Sequence, residues 1–202
     1  KGFKAYSQKE INELIVHYAT HFGHVVRLKG GDPFLFGRGY EEVEHAQKFN
    51  IAVSIVPGIS SAIAVPELQH IPVTLRGISE SCWITTATIS DGSLSNDIHL
   101  AAHSSATIVV LMGLHKLEEI TKLYAKLGKQ DMPVAIIQSG SLEKEKIVVG
   151  TVDNILAKKA QAALESPVVI IIGEVVRTHP LFNAVENISA SVINSLILND
   201  NS

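Results

Sequence analysis

Residues 24–33 read HVVRLKGGDP. His24-Val25-Val26-Arg27-Leu28 has the apolar, β-branched content of a strand, and Gly30-Gly31-Asp32-Pro33 behind it is a loop at that strand's carboxyl end. The arrangement recurs downstream, with Ile51 to Val56 as strand and Pro57-Gly58 as loop. Upstream, Ser7 and Glu10 form a capping box, and Ile11, Leu14, Ile15, Tyr18 and Phe22 fall on one helical face that Gly23 ends. Glu41 to Phe49 reads as a helix, and so does Ser60 to Leu68, closed by His70-Ile71-Pro72. This order predicts a parallel sheet covered by helices. Ligands of such sheets bind beyond the carboxyl ends of the strands, so a site is expected near residues 29–38 and 57–62.

The second half reads differently. Strands are expected at Cys82 to Ala87, Thr107 to Met112, Pro133 to Ile137, Lys146 to Gly150 and Pro167 to Ile172. Helices are expected at Leu117 to Leu127 and Val152 to Leu164, with loop and a short helix between Ser90 and Ser105. The short spacing from 137 to 146 predicts a hairpin, and with it a mixed sheet. A domain boundary is expected near residues 72–80.

Composition narrows the function. The chain has 202 residues, 46% hydrophobic and 18% charged, which excludes general disorder. With 17 Lys+Arg against 20 Asp+Glu, it is not a basic nucleic-acid binder by default. The single cysteine, Cys82, excludes an intramolecular disulfide and argues against a thiolate zinc cluster. No apolar run approaches the roughly 20 residues of a membrane span. The start, KGFKAYSQ, lacks Met, so the chain is expected to begin partway into a longer protein.

Residues 27–38, RLKGGDPFLFGR, form the richest segment. Paired glycines let backbone approach a ligand closely, because no Cβ intervenes. Asp32 before Pro33 is either a turn initiator or an acceptor for a ligand's amine or hydroxyl. Arg27, Lys29, Arg38 and Arg76 suit a ligand that carries carboxylates. In VPGISSA (56–62), Ser60 and Ser61 stand where a helix begins, either as caps or as donors to a ligand carboxylate. Met112-Gly113 closes a strand, as does Gly140 after Ser139, and each is a place where a ligand could meet backbone. The glycines do not form GxGxxG or a phosphate loop, and residues 56–62 are not a Gly-x-Ser-x-Gly elbow. His17 and His21, with Glu13 one turn earlier, have helical zinc-ligand spacing but no HExxH or cysteine beside them.

Residues 27–38 closely resemble the signature of the uroporphyrinogen-III C-methyltransferases, within the tetrapyrrole (corrin/porphyrin) methylase family. Residues 8–14, 56–76, 110–113, 133–140 and 166–176 resemble further blocks in the same order, so the likeness spans residues 2–182. Other tetrapyrrole methylases, the diphthamide methylase and ribosomal-RNA relatives carry looser versions of the signature.

The resemblance implies an S-adenosylmethionine-dependent enzyme that methylates two pyrrole carbons of uroporphyrinogen III. The products are precorrin-2, which feeds sirohaem and corrinoid synthesis, and S-adenosylhomocysteine. It implies a two-domain α/β fold with the cofactor folded between the domains. The N-terminal sheet would be mostly parallel, with its start missing from this chain, and the C-terminal sheet mixed. The expected divisions are residues 1–76, 77–182 and a helical extension at 183–202. A cytoplasmic homodimer is expected, with a small tetrapyrrole as substrate and neither nucleic acid nor membrane as partner.

By resemblance, Gly30, Gly31 and Asp32 take the loop beside the methionine and ribose of the cofactor, with Leu35 an apolar neighbour. Ser60 and Ser61 match a Thr-Ala or Thr-Ser pair, and Met112 and Gly140 match contacts near the adenine. Arg27 and Arg38 are candidates for the substrate's carboxylates. The family's Asp proposed as base and its proposed catalytic Lys would precede residue 1, so no catalytic residue is assigned. Thr86-Ala87-Thr88 departs from the family's Thr-Gly-His block. Two alternatives stay open: a methylase of a later corrin intermediate, and a non-catalytic fragment that binds tetrapyrrole or cofactor.

Overall fold

The computed structural model describes residues 6–89 and 91–182 and divides into two compact units, 1–60 and 61–202. The expected helix at 183–202 lies outside the described residues.

In the first unit, α1 (Gln8–Phe22) starts at the expected capping box: Ser7 Oγ accepts from Glu10 N, and Glu10 Oε2 accepts from Ser7 N. Gly23 ends it with φ 79°. The second helix, α2 (Gly39–Gln47), follows the Gly-Gly-Asp-Pro loop. The strands expected at 24–28 and 51–56 are a correction, because neither segment joins a ladder. Their side chains stay in solvent, with Val26 70%, Leu28 80% and Val56 83% exposed. Apolar, β-branched composition states what a segment would bury, and a strand also needs a neighbour offering its backbone groups. The parallel N-terminal sheet is therefore not formed among the described residues.

The second unit opens with α3 (Ser61–Leu68) and holds a five-stranded mixed sheet. Its strands are β1 (Cys82–Thr86), β2 (Thr107–Leu111), β3 (Pro133–Gln138), β4 (Lys146–Thr151) and β5 (Val168–Ile172), in the order β1-β2-β5-β3-β4. The pair β1–β2 is parallel and the other pairs are antiparallel, including the expected β3–β4 hairpin. Every residue of β2 and β5 is buried, as β-branched central strands covered on both faces should be. The helices α4 (Asn96–Ala102), α5 (Leu117–Lys126) and α6 (Ile155–Gln161) complete the unit. Ile98, Leu117, Ile120 and Ile155 join Ile108, Ile136, Ile170 and Ile172 in one core.

Compactness places the division at Ser60/Ser61, ahead of the boundary expected near 72–80. Residues 61–76 group with the second unit because α3 packs on β2 and β5 and buries Ala62 and Val65. Ser79 then ties the connecting segment to the sheet: its Oγ accepts from Thr107 N at 2.9 Å and from Thr107 Oγ1 at 3.0 Å.

Tyr124 is 2% exposed, and its hydroxyl meets no hydrogen-bond partner among the described residues. Burial pushes that phenol's pKa far up. An unsatisfied buried hydroxyl is a net cost, so Tyr124→Phe should stabilise the unit by about 1 kcal/mol. The thermal midpoint should rise by roughly 2–4 °C, and a fall in calorimetry would contradict this.

Candidate functional site

In the first unit the two glycine loops are locked together through Asp32. Its Oδ1 accepts from Phe34 N at 2.8 Å and Leu35 N at 3.0 Å, and its Oδ2 accepts from Gly58 N at 3.1 Å. Asp32 N donates to Ile59 O at 3.1 Å. The Gly58 N–H, ahead of those of Phe34 and Leu35, holds the Asp32 carboxyl below its ordinary pKa. The turn-forming and cross-linking roles therefore occupy a side chain that the sequence also offered to a ligand.

Glycines make this approach feasible. A Cβ on Gly58 would stand 3.2 Å from Asp32 Cα, and one on Gly31 would stand 3.2 Å from Ile59 O. Gly30 differs, since a Cβ there would meet nothing within 4 Å. Behind the loop the chain reverses tightly, with Phe36 at φ 54° and Arg38 at φ 56°. Gly39 N donates to Pro33 O at 2.8 Å.

Arg27 and Arg38 have intramolecular partners. Arg38 Nε and Nη2 donate to Glu41 at 2.8 and 2.7 Å, a paired geometry that lowers the Glu41 pKa and raises that of Arg38. Arg27 Nε lies 3.3 Å from Glu42 Oε1, and Lys29 Nζ lies 2.9 Å from Glu42 Oε2. Glu42 is 7% exposed and also accepts from Gln8 Nε2 at 3.3 Å, so one buried carboxylate ties α1, α2 and residues 27–29 together. Sequence reasoning missed Glu42. Its only sequence signal is an acid one turn into the helix behind the basic segment 27–29.

In the second unit, β2 and β3 both run antiparallel to β5, and β1 runs parallel to β2. The carboxyl ends of β1, β2 and β3 therefore share one end of the sheet. Met112 follows β2 with φ 54° and is 58% exposed. Ser139 and Ser141 follow β3 at φ 51° and 69° and flank Gly140. Non-glycine residues in the left-handed region cost of order 1 kcal/mol or more each, and such strain clusters at functional sites. A Cβ on Gly140 would lie 2.6 Å from Val65 Cγ1, so α3 packing already demands glycine there.

The structure thus brings Gly30, Gly31, Asp32 and Leu35 into one locked loop of the first unit, where 57–59 leads into Ser60. It places Ser61 at the start of α3, and Met112 and Gly140 behind β2 and β3, at one end of the second unit's sheet with β5 between those two strands. An open cavity formed by α3 and residues 70–74 contains none of these residues. His17 and His21 lie side by side on α1, their ring centroids 4.2 Å apart and their planes tilted by 40°. Among the described residues, no group of three His, Cys, Asp or Glu is placed to hold a metal ion. No helix among them is long and apolar enough to cross a membrane.

The profile of the tetrapyrrole (corrin/porphyrin) methylases matches residues 2–156. Uroporphyrinogen-III C-methyltransferase of Methanocaldococcus jannaschii is 40% identical over 178 residues, 87% of this chain and 74% of that protein. Siroheme synthase of Methylobacillus flagellatus is 39% identical over 171 residues, 84% of this chain and 37% of that protein. The chain therefore spans about three-quarters of the first relative and little more than a third of the second. The crystal structure of Thermus thermophilus uroporphyrin-III C-methyltransferase complexed with S-adenosylhomocysteine superposes with a TM-score of 0.70 at 33% identity. That match covers 85% of this chain and 75% of the Thermus chain. A cobalt precorrin-4 methyltransferase shares the fold, with a TM-score of 0.77 at 21% identity over 86% of this chain and 74% of its own. With a locked Gly-Gly-Asp-Pro loop, strained residues at the carboxyl ends of its strands and the family profile over most of its length, this chain belongs to the tetrapyrrole methylases.

Proposed function

We propose that this chain methylates uroporphyrinogen III at two pyrrole carbons, giving precorrin-2 for sirohaem and corrinoid synthesis. The observation that carries the reading is the Gly30-Gly31-Asp32 loop, held rigid from within, in a chain 40% identical to a uroporphyrinogen-III C-methyltransferase. Identities of 33% and 40% to such enzymes, against 21% to the precorrin-4 enzyme, favour this substrate over a later corrin intermediate.

S-adenosylmethionine supplies an already activated methyl group when bound. The residues fit such a ligand. Gly30 has open space where a side chain would stand, Ser61 offers a hydroxyl, and Met112 offers an exposed soft thioether at a strand end. Gly30 and Gly31 take the methionine and ribose parts, with Leu35 beside them, and Ser60 and Ser61 follow. Met112 takes the adenine, and Gly140 contributes backbone. Holding the acceptor carbon in line is the main task left to the protein. Arg27 and Arg38 meet the substrate's carboxylates, sharing their guanidinium groups with Glu42 and Glu41. A homodimer and a cytoplasmic location belong to the same reading.

Calorimetric titration of S-adenosylhomocysteine into the full-length protein tests it. The expected dissociation constant is on the order of micromolar, and no detectable binding overturns the reading.

A further inference from the structure

The turn after β3 is strained on both sides of Gly140, and one side chain ties its second strained residue to α3. Ser139 and Ser141 both occupy the left-handed region, at φ 51° and 69°, a conformation that surrounding contacts must impose. Ser139 is fixed by its own backbone, since its N–H donates to Pro167 O at 3.0 Å and its carbonyl accepts from Leu142 N at 3.1 Å. The anchor of Ser141 is Glu145, whose Oε2 accepts from Ser141 N at 2.7 Å. The other carboxylate oxygen, Oε1, accepts from Gln69 Nε2 at 2.5 Å, across 76 residues of sequence. Gln69 stands one residue past the end of α3, the helix that Ser61 begins. Along the same line, Val65 of α3 fills the space over Gly140. The α3 helix and the turn are therefore joined twice, by an apolar contact at Val65–Gly140 and by the Gln69–Glu145–Ser141 relay.

We infer that Glu145 is a positioning residue that locks the Ser139–Gly140–Ser141 turn to α3 and so fixes the cofactor-facing backbone of both. The inference rests on the assignment of Ser61 and Gly140 to the cofactor site made above. Glu145 need not touch the ligand, because it acts through the turn it restrains. Its geometry also separates shape from charge. A glutamine keeps one oxygen for Ser141 N, and its amide can donate to Gln69 once the Gln69 amide is turned over. An alanine keeps neither bond.

The test is calorimetric titration of S-adenosylhomocysteine into the full-length protein and its Glu145→Ala, Glu145→Gln, Gln69→Ala and doubly substituted Gln69→Ala/Glu145→Ala forms. Each thermal midpoint is measured alongside. Glu145→Ala should weaken binding by about tenfold, Glu145→Gln should stay within about threefold of the unaltered protein, and Gln69→Ala should fall between them. The double form should bind no worse than Glu145→Ala alone, because both substitutions break one relay. Steady-state kinetics should show the KM for S-adenosylmethionine rising in Glu145→Ala with kcat within about twofold, a split that general loosening of the fold would not produce. Unaltered affinity in Glu145→Ala, or a Glu145→Gln form as weak as Glu145→Ala, overturns the inference. If the unaltered protein binds nothing, the cofactor assignment falls and this inference falls with it.

Discussion

Asp32→Ala should weaken S-adenosylhomocysteine binding by about tenfold or more while barely moving the main thermal transition. The substitution removes the acceptor of three backbone N–H groups, those of Phe34, Leu35 and Gly58. Two of them shape the loop, and the third joins it to the segment leading to Ser60. The core of the second unit makes no use of Asp32, so its unfolding should be unaffected. Lost affinity would come from loss of preorganisation, because the loop must then be ordered at the moment of binding. Asp32→Asn retains a single acceptor oxygen and should fall between alanine and the natural residue. The pH dependence follows from the direction of the pKa shift. The folded-state pKa lies below the ordinary value, so the stabilisation is present above that value and is lost as pH falls through the folded one. Loop order and binding should decline below about pH 4, and Asp32→Asn should lack that acid limb. Wild-type affinity in Asp32→Ala would contradict the role given to this carboxylate.

Gly37→Ala should disrupt the same loop by a different route. A Cβ at Gly37 would lie 2.6 Å from Pro33 O and 2.8 Å from Asp32 O. Both are backbone atoms, so no rotamer change relieves the contact. Overpacking of this kind costs about 1–3 kcal/mol where the surroundings can shift. Here the shift would open the reversal that carries the Asp32 bonds to Phe34 and Leu35. Binding should drop by about tenfold or more, and the amides of residues 34–39 should exchange faster with solvent. Gly30→Ala is the informative counterpart. Its Cβ would meet nothing within 4 Å among the described residues, so stability and exchange should stay unchanged while binding falls. Equal loss of stability in both variants would mean that Gly30 serves the fold and not the ligand.

Much of the second unit is legible in the sequence, because its signals are local. The spacing from 137 to 146 is too short for a crossover, and β3–β4 is a hairpin. The β-branched runs at 107–111 and 168–172 are buried central strands. Ser7 and Glu10 cap α1 as their spacing dictates. What the sequence hides depends on distant partners. Residues 24–28 and 51–56 have strand composition, but composition says nothing of whether a neighbouring strand is present. Asp32 reads locally as a turn initiator, and its bond to Gly58 spans 26 residues. Gly140 reads as a ligand-approach glycine, while Val65 shows a packing reason for it. The left-handed conformations of Met112, Ser139 and Ser141 leave no trace in residue type, because glycine and, less strongly, asparagine, aspartate and histidine are the types that signal that region.

Methyl transfer to the tetrapyrrole is the activity on which every proposed site role depends. The most direct measurement incubates the full-length protein anaerobically with uroporphyrinogen III and S-adenosylmethionine carrying a labelled methyl group, then counts label on the tetrapyrrole. Two labelled methyl groups on pyrrole carbons are expected, with label lost in parallel with cofactor affinity in Asp32→Ala. Cofactor binding at full affinity with no label on the tetrapyrrole would contradict that activity.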